Sequence, residues 1–170
     1  MRDDALKLRG TVRAVLGDNI DTDLIYPGRY LNITDREKTA EHLFELAWPQ
    51  IRPSLKPGDF VIGSKNFGCG SSREQAAAAL KFAGAGAVIA AGFARIFYRN
   101  AINLGLPAVV AAEASLVCRV GDELELDLTG GSIYNVTQER TIAAAALDPR
   151  AVELLAAGGL IPYLKKKYAA

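Results

Sequence analysis

The stretch FVIGSKNFGCGSSREQ, Phe60 to Gln75, decides the architecture of the chain. Phe60-Val61-Ile62-Gly63 is short and apolar, the pattern of a strand buried on both faces. Ser64 to Gly70 has no periodicity and reads as a loop. Ser72 to Phe82 is Ala-rich and reads as a helix that Gly84 and Gly86 end. Val88-Ile89-Ala90-Ala91 is the next buried strand. Ala94 to Leu104 has helical periodicity, with Gly105 as its C-terminal cap and Pro107 beyond. Ala108-Val109-Val110-Ala111 is a third short strand. Strand, helix, strand, helix, strand predicts right-handed βαβ crossovers and a parallel centre.

Upstream, Thr11 to Leu16 alternates as a strand does and stops at Gly17-Asp18-Asn19. Asp18 to Asp35 reads as a long irregular loop. Such loops are uncommon in compact domains, and the apolar residues spread through this one argue for function over disorder. Thr34 or Asp35 is placed to cap a helix over His42 to Trp48, which Pro49 would end. Downstream, Glu123 to Leu128 alternates strictly, Thr129-Gly130-Gly131 turns, and Ser132 to Val136 returns as a hairpin. Asp148 and Pro149 open a final helix as N-cap and first residue, and Gly158-Gly159 close it. No repeat or linker interrupts the chain. The reading is an α/β fold, one domain over residues 1–170, with a parallel βαβ centre and an antiparallel hairpin.

The 170 residues are 50% hydrophobic and 23% charged, the composition of an ordinary globular domain. Lys plus Arg is 20 against 19 Asp plus Glu, a net charge of +1, which argues against a nucleic acid or an anionic membrane held by bulk charge. The run Lys165-Lys166-Lys167 reads as a solvated tail. Cys69 and Cys118 are too few for a disulfide framework and match no zinc or iron–sulfur spacing, and His42 is the only histidine, so no metal is expected on this chain. MRDDALKLRG lacks the apolar core of a signal peptide, and no apolar run reaches the roughly 18 residues of a membrane span. A soluble, cytoplasmic protein with reduced thiols is expected.

Chemistry concentrates between the first parallel strand and its helix. Gly68 and Gly70 allow a ligand to approach the main chain. Ser71 with Glu74, or Ser72 with Gln75, fits a capping box. Free N–H groups at a helix start favour an anion, and Arg73 adds a planar fork suited to a carboxylate. The plainer alternative is that Gly-Ser-Ser only starts a helix and Arg73-Glu74 is solvated. Known nucleotide motifs do not fit: the dinucleotide fingerprint needs Gly where Arg73 stands, and the phosphate-binding loop needs a Gly-Lys pair. A nucleophile elbow fails as well, with His42 as its only base.

The segment Gly68-Cys69-Gly70-Ser71-Ser72-Arg73-Glu74-Gln75, preceded by Gly63-Ser64-Lys65-Asn66-Phe67, resembles the small-subunit signature of the 3-isopropylmalate dehydratases in the aconitase superfamily. Two further blocks agree in order: Asp18 to Asp23 followed by Pro27-Gly28-Arg29-Tyr30-Leu31, and Gly92 to Asn103. The resemblance runs from about Gly10 to Pro107.

That resemblance implies a three-layer β/β/α swivelling domain, which docks on a large subunit carrying a [4Fe-4S] cluster. The reaction it implies is a dehydration and rehydration that moves a hydroxyl between adjacent carbons of a small hydroxy-dicarboxylate, in leucine biosynthesis. By motif, Ser71 is the catalytic base acting as an alkoxide. Arg73 is the substrate-carboxylate clamp, Ser72 a supporting donor or helix cap, Asp23 a supporting carboxylate near the site, and Gly68 and Gly70 supporting residues of its loop. Arg95 and Arg99 are expected to join the hydrogen-bond framework. Packing or surface roles fall to His42, Trp48 and Cys118, and nothing makes Cys69 a cluster ligand.

The loop after Arg29-Tyr30-Leu31 resembles the family's specificity loop. Neutral Asn32 and apolar Ile33 suit an alkyl group such as isopropyl, against which a third carboxylate would be costly to bury. Arg29 or Arg36 would change this reading by turning inward. The alternatives are a homoaconitase or a citramalate- or dimethylmalate-type dehydratase small subunit. From another class, a non-catalytic anion-binding subunit could use the same helix start.

Overall fold

The computed structural model describes residues 6–169. The first residues of the charged N-terminus read above, Met1 to Ala5, lie outside them. Seven strands form one sheet in the order β4-β3-β2-β1-β5-β6-β7. They are β1 (Lys7–Val15), β2 (Phe60–Ile62), β3 (Ala87–Ala90), β4 (Ala108–Val110), β5 (Glu123–Asp127), β6 (Ser132–Asn135) and β7 (Arg140–Ala143). The helices are α1 (Thr22–Ile25), α2 (Arg36–Glu41), α3 (Ile51–Ser54), α4 (Glu74–Phe82), α5 (Arg95–Asn103), α6 (Ala114–Val117), α7 (Pro149–Ala157) and α8 (Leu160–Tyr168).

The long first strand joins two half-sheets. Lys7 to Thr11 pairs antiparallel with β5, and Val12 to Val15 pairs parallel with β2. The register shifts between Val12 and Ala14, and such an irregularity bends a strand. The sheet therefore curls, and two apolar cores result. Ala14, Val61, Val88, Ala90 and Ala108 pack on the helices, where the fully buried Ala76, Ala77 and Ala79 let α4 lie close to the sheet. Val12, Phe60, Ile62, Ala87, Ile89 and Val109 pack with Leu124, Leu126, Ile133 and Ile142 of the antiparallel half. Helices, parallel strands and antiparallel strands are thus the expected β/β/α layers, with the parallel centre and the hairpin as read.

Several local readings change. The helix expected over His42 to Trp48 does not form. Asp35 caps α2, as one of the two expected caps, but the helix ends at His42. Phe44 then takes φ +56 and donates its N–H to the Ile25 carbonyl at 2.8 Å, a distant partner instead of a helical one. Asp18 to Asp35 contains α1 and a 3-10 turn over Gly28–Tyr30. The α7 cap at Asp148 is as expected. Gly158 (φ +90) and Gly159 (φ +121) turn straight into α8, so Lys165 to Lys167 lie on a helix.

One buried polar knot fastens the antiparallel layer. The Asp122 carboxylate accepts from Asn135 Nδ2 at 2.8 Å, Gln138 Nε2 at 2.6 Å and the Arg119 N–H at 2.9 Å. Burial alone would raise its pKa, but these donors prevail and hold it below the ordinary value. Asp122→Ala strands the donors and is expected to cost about 1–3 kcal/mol, read by urea unfolding. Because the folded-state pKa is depressed, this contribution is full above the ordinary Asp value and is lost as pH falls through the depressed one.

Candidate functional site

The loop after β2 is stitched to the Asp18–Asp23 segment by its main chain. Gly68 donates to the Ile20 carbonyl at 2.7 Å, and Thr22 donates to the Cys69 carbonyl at 2.8 Å. The Lys65 N–H reaches Asp18 Oδ1 at 3.0 Å. Behind the loop, Phe67 is fully buried and packs edge-on against Phe97 and Phe93, so the Gly92–Asn103 block forms its back wall. Gly68 sits at φ +81 with Phe97 against it, and a methyl there would overlap that ring. The three sequence blocks are one structural unit.

Neither capping box forms. Arg73 occupies the N-cap of α4 in extended geometry (φ −81, ψ 113), with no side-chain cap hydrogen bond. Its N–H donates to the Ser71 carbonyl at 2.8 Å, which keeps the two serines ahead of the helix. Ser71 and Ser72 are both exposed, and Gly70 before them has φ +93. The expected cap role of either serine is therefore corrected. The Ala76 N–H is taken by the Arg73 carbonyl at 3.4 Å, while no side chain caps the Glu74 and Gln75 N–H groups, and free groups at a helix start favour an anion.

Arg73 Nη1 donates to Asp23 Oδ1 at 2.5 Å, and the same oxygen accepts from the Gly28 N–H at 2.8 Å. The guanidinium hydrogen bond, with that N–H second, holds the Asp23 carboxyl below the usual range. The guanidinium lies flat on Gly28, where a Cβ would stand 3.0 Å from both Nη atoms. Asp23, Pro27, Gly28, Arg29, Leu46 and Arg73 line an open pocket of about 300 Å³. Gly28→Ala should push Arg73 out of this seat. We expect a raised KM for an anionic substrate with an almost unchanged Tm, since the displaced group is the end of a flexible side chain.

Asp23 and Arg73 thus come together, with Ser71 and Ser72 just ahead of Arg73 in sequence. Asn32 is exposed and Ile33 half-buried one turn beyond, and neither lines the pocket. Arg36 turns away, its guanidinium 5.1 Å above the Phe82 ring. Arg95 and Arg99 are exposed and form no ion pair among the described residues, so the framework role expected of them is corrected. Arg29, the other residue whose inward turn bears on the loop reading, does line the pocket, and so does Leu46, which carries no signal in the sequence. Arg29 lies in the quoted Pro27–Leu31 block, but the 3-10 turn that aims it carries no local signal.

The described residues contain no group of three or more His, Cys, Asp or Glu side chains able to hold a metal ion. Cys69 is half-buried in the loop and Cys118 buried in the other core, so this chain's thiols do not fit a cluster. No helix among the described residues is long and apolar enough to cross a membrane. Arg73 brings its fork to the pocket, and the exposed Ser71 hydroxyl and the start of α4 flank it along the chain, a set suited to holding a carboxylate beside a group that takes a proton.

The family model "Aconitase C-terminal domain" matches residues 56–113, from the turn before β2 past β4. The 3-isopropylmalate dehydratase small subunit of Moorella thermoacetica is 50% identical over 151 residues, 89% of this chain and 91% of that one. The isopropylmalate/citramalate isomerase small subunit of Methanocaldococcus jannaschii is 50% identical over 153 residues, 90% and 91% of the two chains. A crystal structure of 3-isopropylmalate dehydratase from Methanocaldococcus jannaschii superposes with TM-score 0.88 at 42% identity, covering 96% of each chain.

Proposed function

The chain belongs to the 3-isopropylmalate dehydratase small-subunit family, and from that premise we propose that it completes the active site of a two-subunit hydro-lyase interconverting 2- and 3-isopropylmalate in leucine biosynthesis. Residues 1–170 act as one swivelling domain in the cytoplasm, docked on a large subunit that holds the [4Fe-4S] cluster. The leaving hydroxyl is that partner's task. On this chain, Arg73 forks a substrate carboxylate and Asp23 holds Arg73 in place. Ser71, as the alkoxide, takes the proton from the carbon next to that carboxylate and returns it during rehydration. Ser72 donates a supporting hydrogen bond. A serine hydroxyl is a weak base, so its anion needs positive potential around it.

One observation carries this reading: an exposed serine stands two residues ahead of an uncapped helix start whose N-cap is an arginine seated on Gly28. Asn32 and Ile33 carry no charge and lie on the loop just beyond this pocket, where the assembled site would meet the substrate's alkyl group. A relative whose name includes citramalate isomerase makes citramalate the second candidate.

The test is co-production with the large subunit and side-by-side assay of isopropylmalate, citramalate and homocitrate. Isopropylmalate is expected to show the highest kcat/KM, with neither chain active alone. Ile33→Arg should lower the preference for isopropylmalate over a tricarboxylate, because the new charge is unpaired beside an alkyl group. A complex that binds these acids without turnover would leave a non-catalytic anion-binding subunit.

A further inference from the structure

We propose that Arg29 is the second carboxylate clamp of this pocket, taking the substrate carboxylate that Arg73 does not hold. The inference rests on the function proposed above and adds to it the residue that makes the site selective for a dicarboxylate. A dianion entering a pocket with one available guanidinium would leave a carboxylate unpaired as water is displaced, which is costly. Arg29 lines the same pocket as Arg73.

The surroundings of Arg29 hold it there. Its Nη2 lies 3.3 Å from Glu45 Oε1, and its Cζ stands 4.9 Å from the centre of the Tyr30 ring. Glu45 is held in turn by the Tyr30 hydroxyl at 3.1 Å and by His42 Nδ1 at 2.8 Å. The Tyr30 and His42 rings stack at 3.6 Å and 12°. Yet the Arg29 side chain is 61% exposed. An exposed arginine normally samples many rotamers. This one is tethered on one nitrogen and one face, with the rest of its fork free, which is the preorganisation a bidentate clamp needs. His42, otherwise a surface residue, becomes a positioning residue for Arg29 through Glu45.

In the assembled enzyme, Arg29→Gln is expected to raise the KM for isopropylmalate about 10–100-fold with kcat little changed, because the contact is present in ground and transition states alike. Arg29→Lys should fall between. Glu45→Gln should raise KM less, and should add nothing in the Arg29→Gln background, as coupled residues do. Subunit affinity, followed by analytical ultracentrifugation, should be unchanged in all three. An unchanged KM for Arg29→Gln would overturn the assignment, and so would a KM defect that saturating large subunit abolishes, which would make Arg29 a docking residue. If the wild-type complex prefers citramalate, the isopropylmalate reading fails while the same comparison on citramalate still decides Arg29. A wild-type complex turning over no hydroxy-dicarboxylate would overturn both.

Discussion

Ser71→Ala in the assembled enzyme is expected to lower kcat by about 10²–10⁴-fold, the usual worth of a general base, while substrate binding stays near the wild-type value. This hydroxyl does not line the pocket proposed to bind the anion. Arg73 remains on Gly28, Asp23 still holds it, and the first-turn N–H groups of α4 come from the main chain. The substitution is also clean structurally. Ser71 is exposed and does not cap α4, so no cap energy is lost and Tm should not move. Steady-state kinetics and direct substrate binding check this together. Near-normal kcat would leave Ser71 without a chemical role.

Arg73→Lys is expected to cost about 10–100-fold in kcat/KM, expressed in KM as well as kcat. Lysine keeps the charge but presents one compact ammonium where the guanidinium meets Asp23 through Nη1 and packs both Nη atoms against Gly28. A point charge can satisfy Asp23 or the substrate, but it cannot reproduce the two parallel bonds of a bidentate clamp. The contrast between the two variants separates the roles. Loss confined to kcat marks the base, and loss in both constants marks the clamp. An Arg73→Lys complex with wild-type KM would remove the carboxylate from this position.

The parallel centre was legible because its signals are local. Short runs such as Val88 to Ala91, punctuated by glycines and a proline, name β2, β3, β4 and α5 almost to the residue, and Asp148-Pro149 names the start of α7. The segment around His42 was not legible, because its path is set by a partner far along the chain. Phe44 gives its N–H to Ile25, and that bond outweighs the helical pattern. β7 was missed because only Ile142 in it is buried, and α8 because the glycine pair that ends α7 also begins it. The site divides in the same way. Its blocks could be read from sequence, and the structure joins them through main-chain bonds. The unformed capping boxes turn on one extended residue, Arg73, and the placement of Arg29 turns on Glu45, 16 positions away.

The central claim, that this chain supplies the group removing the substrate proton, is tested most directly by isotope exchange. Isopropylmalate carrying deuterium on the reacting carbon would be incubated with wild-type and Ser71→Ala complexes, and release of deuterium from that carbon, whether to the adjacent carbon or to water, followed by NMR at saturating substrate. The wild-type complex is expected to release it at a rate commensurate with turnover, and the Ser71→Ala complex to bind the substrate yet release it slower by the same factor as its loss in kcat. Release at the wild-type rate from the folded Ser71→Ala complex would place the base elsewhere.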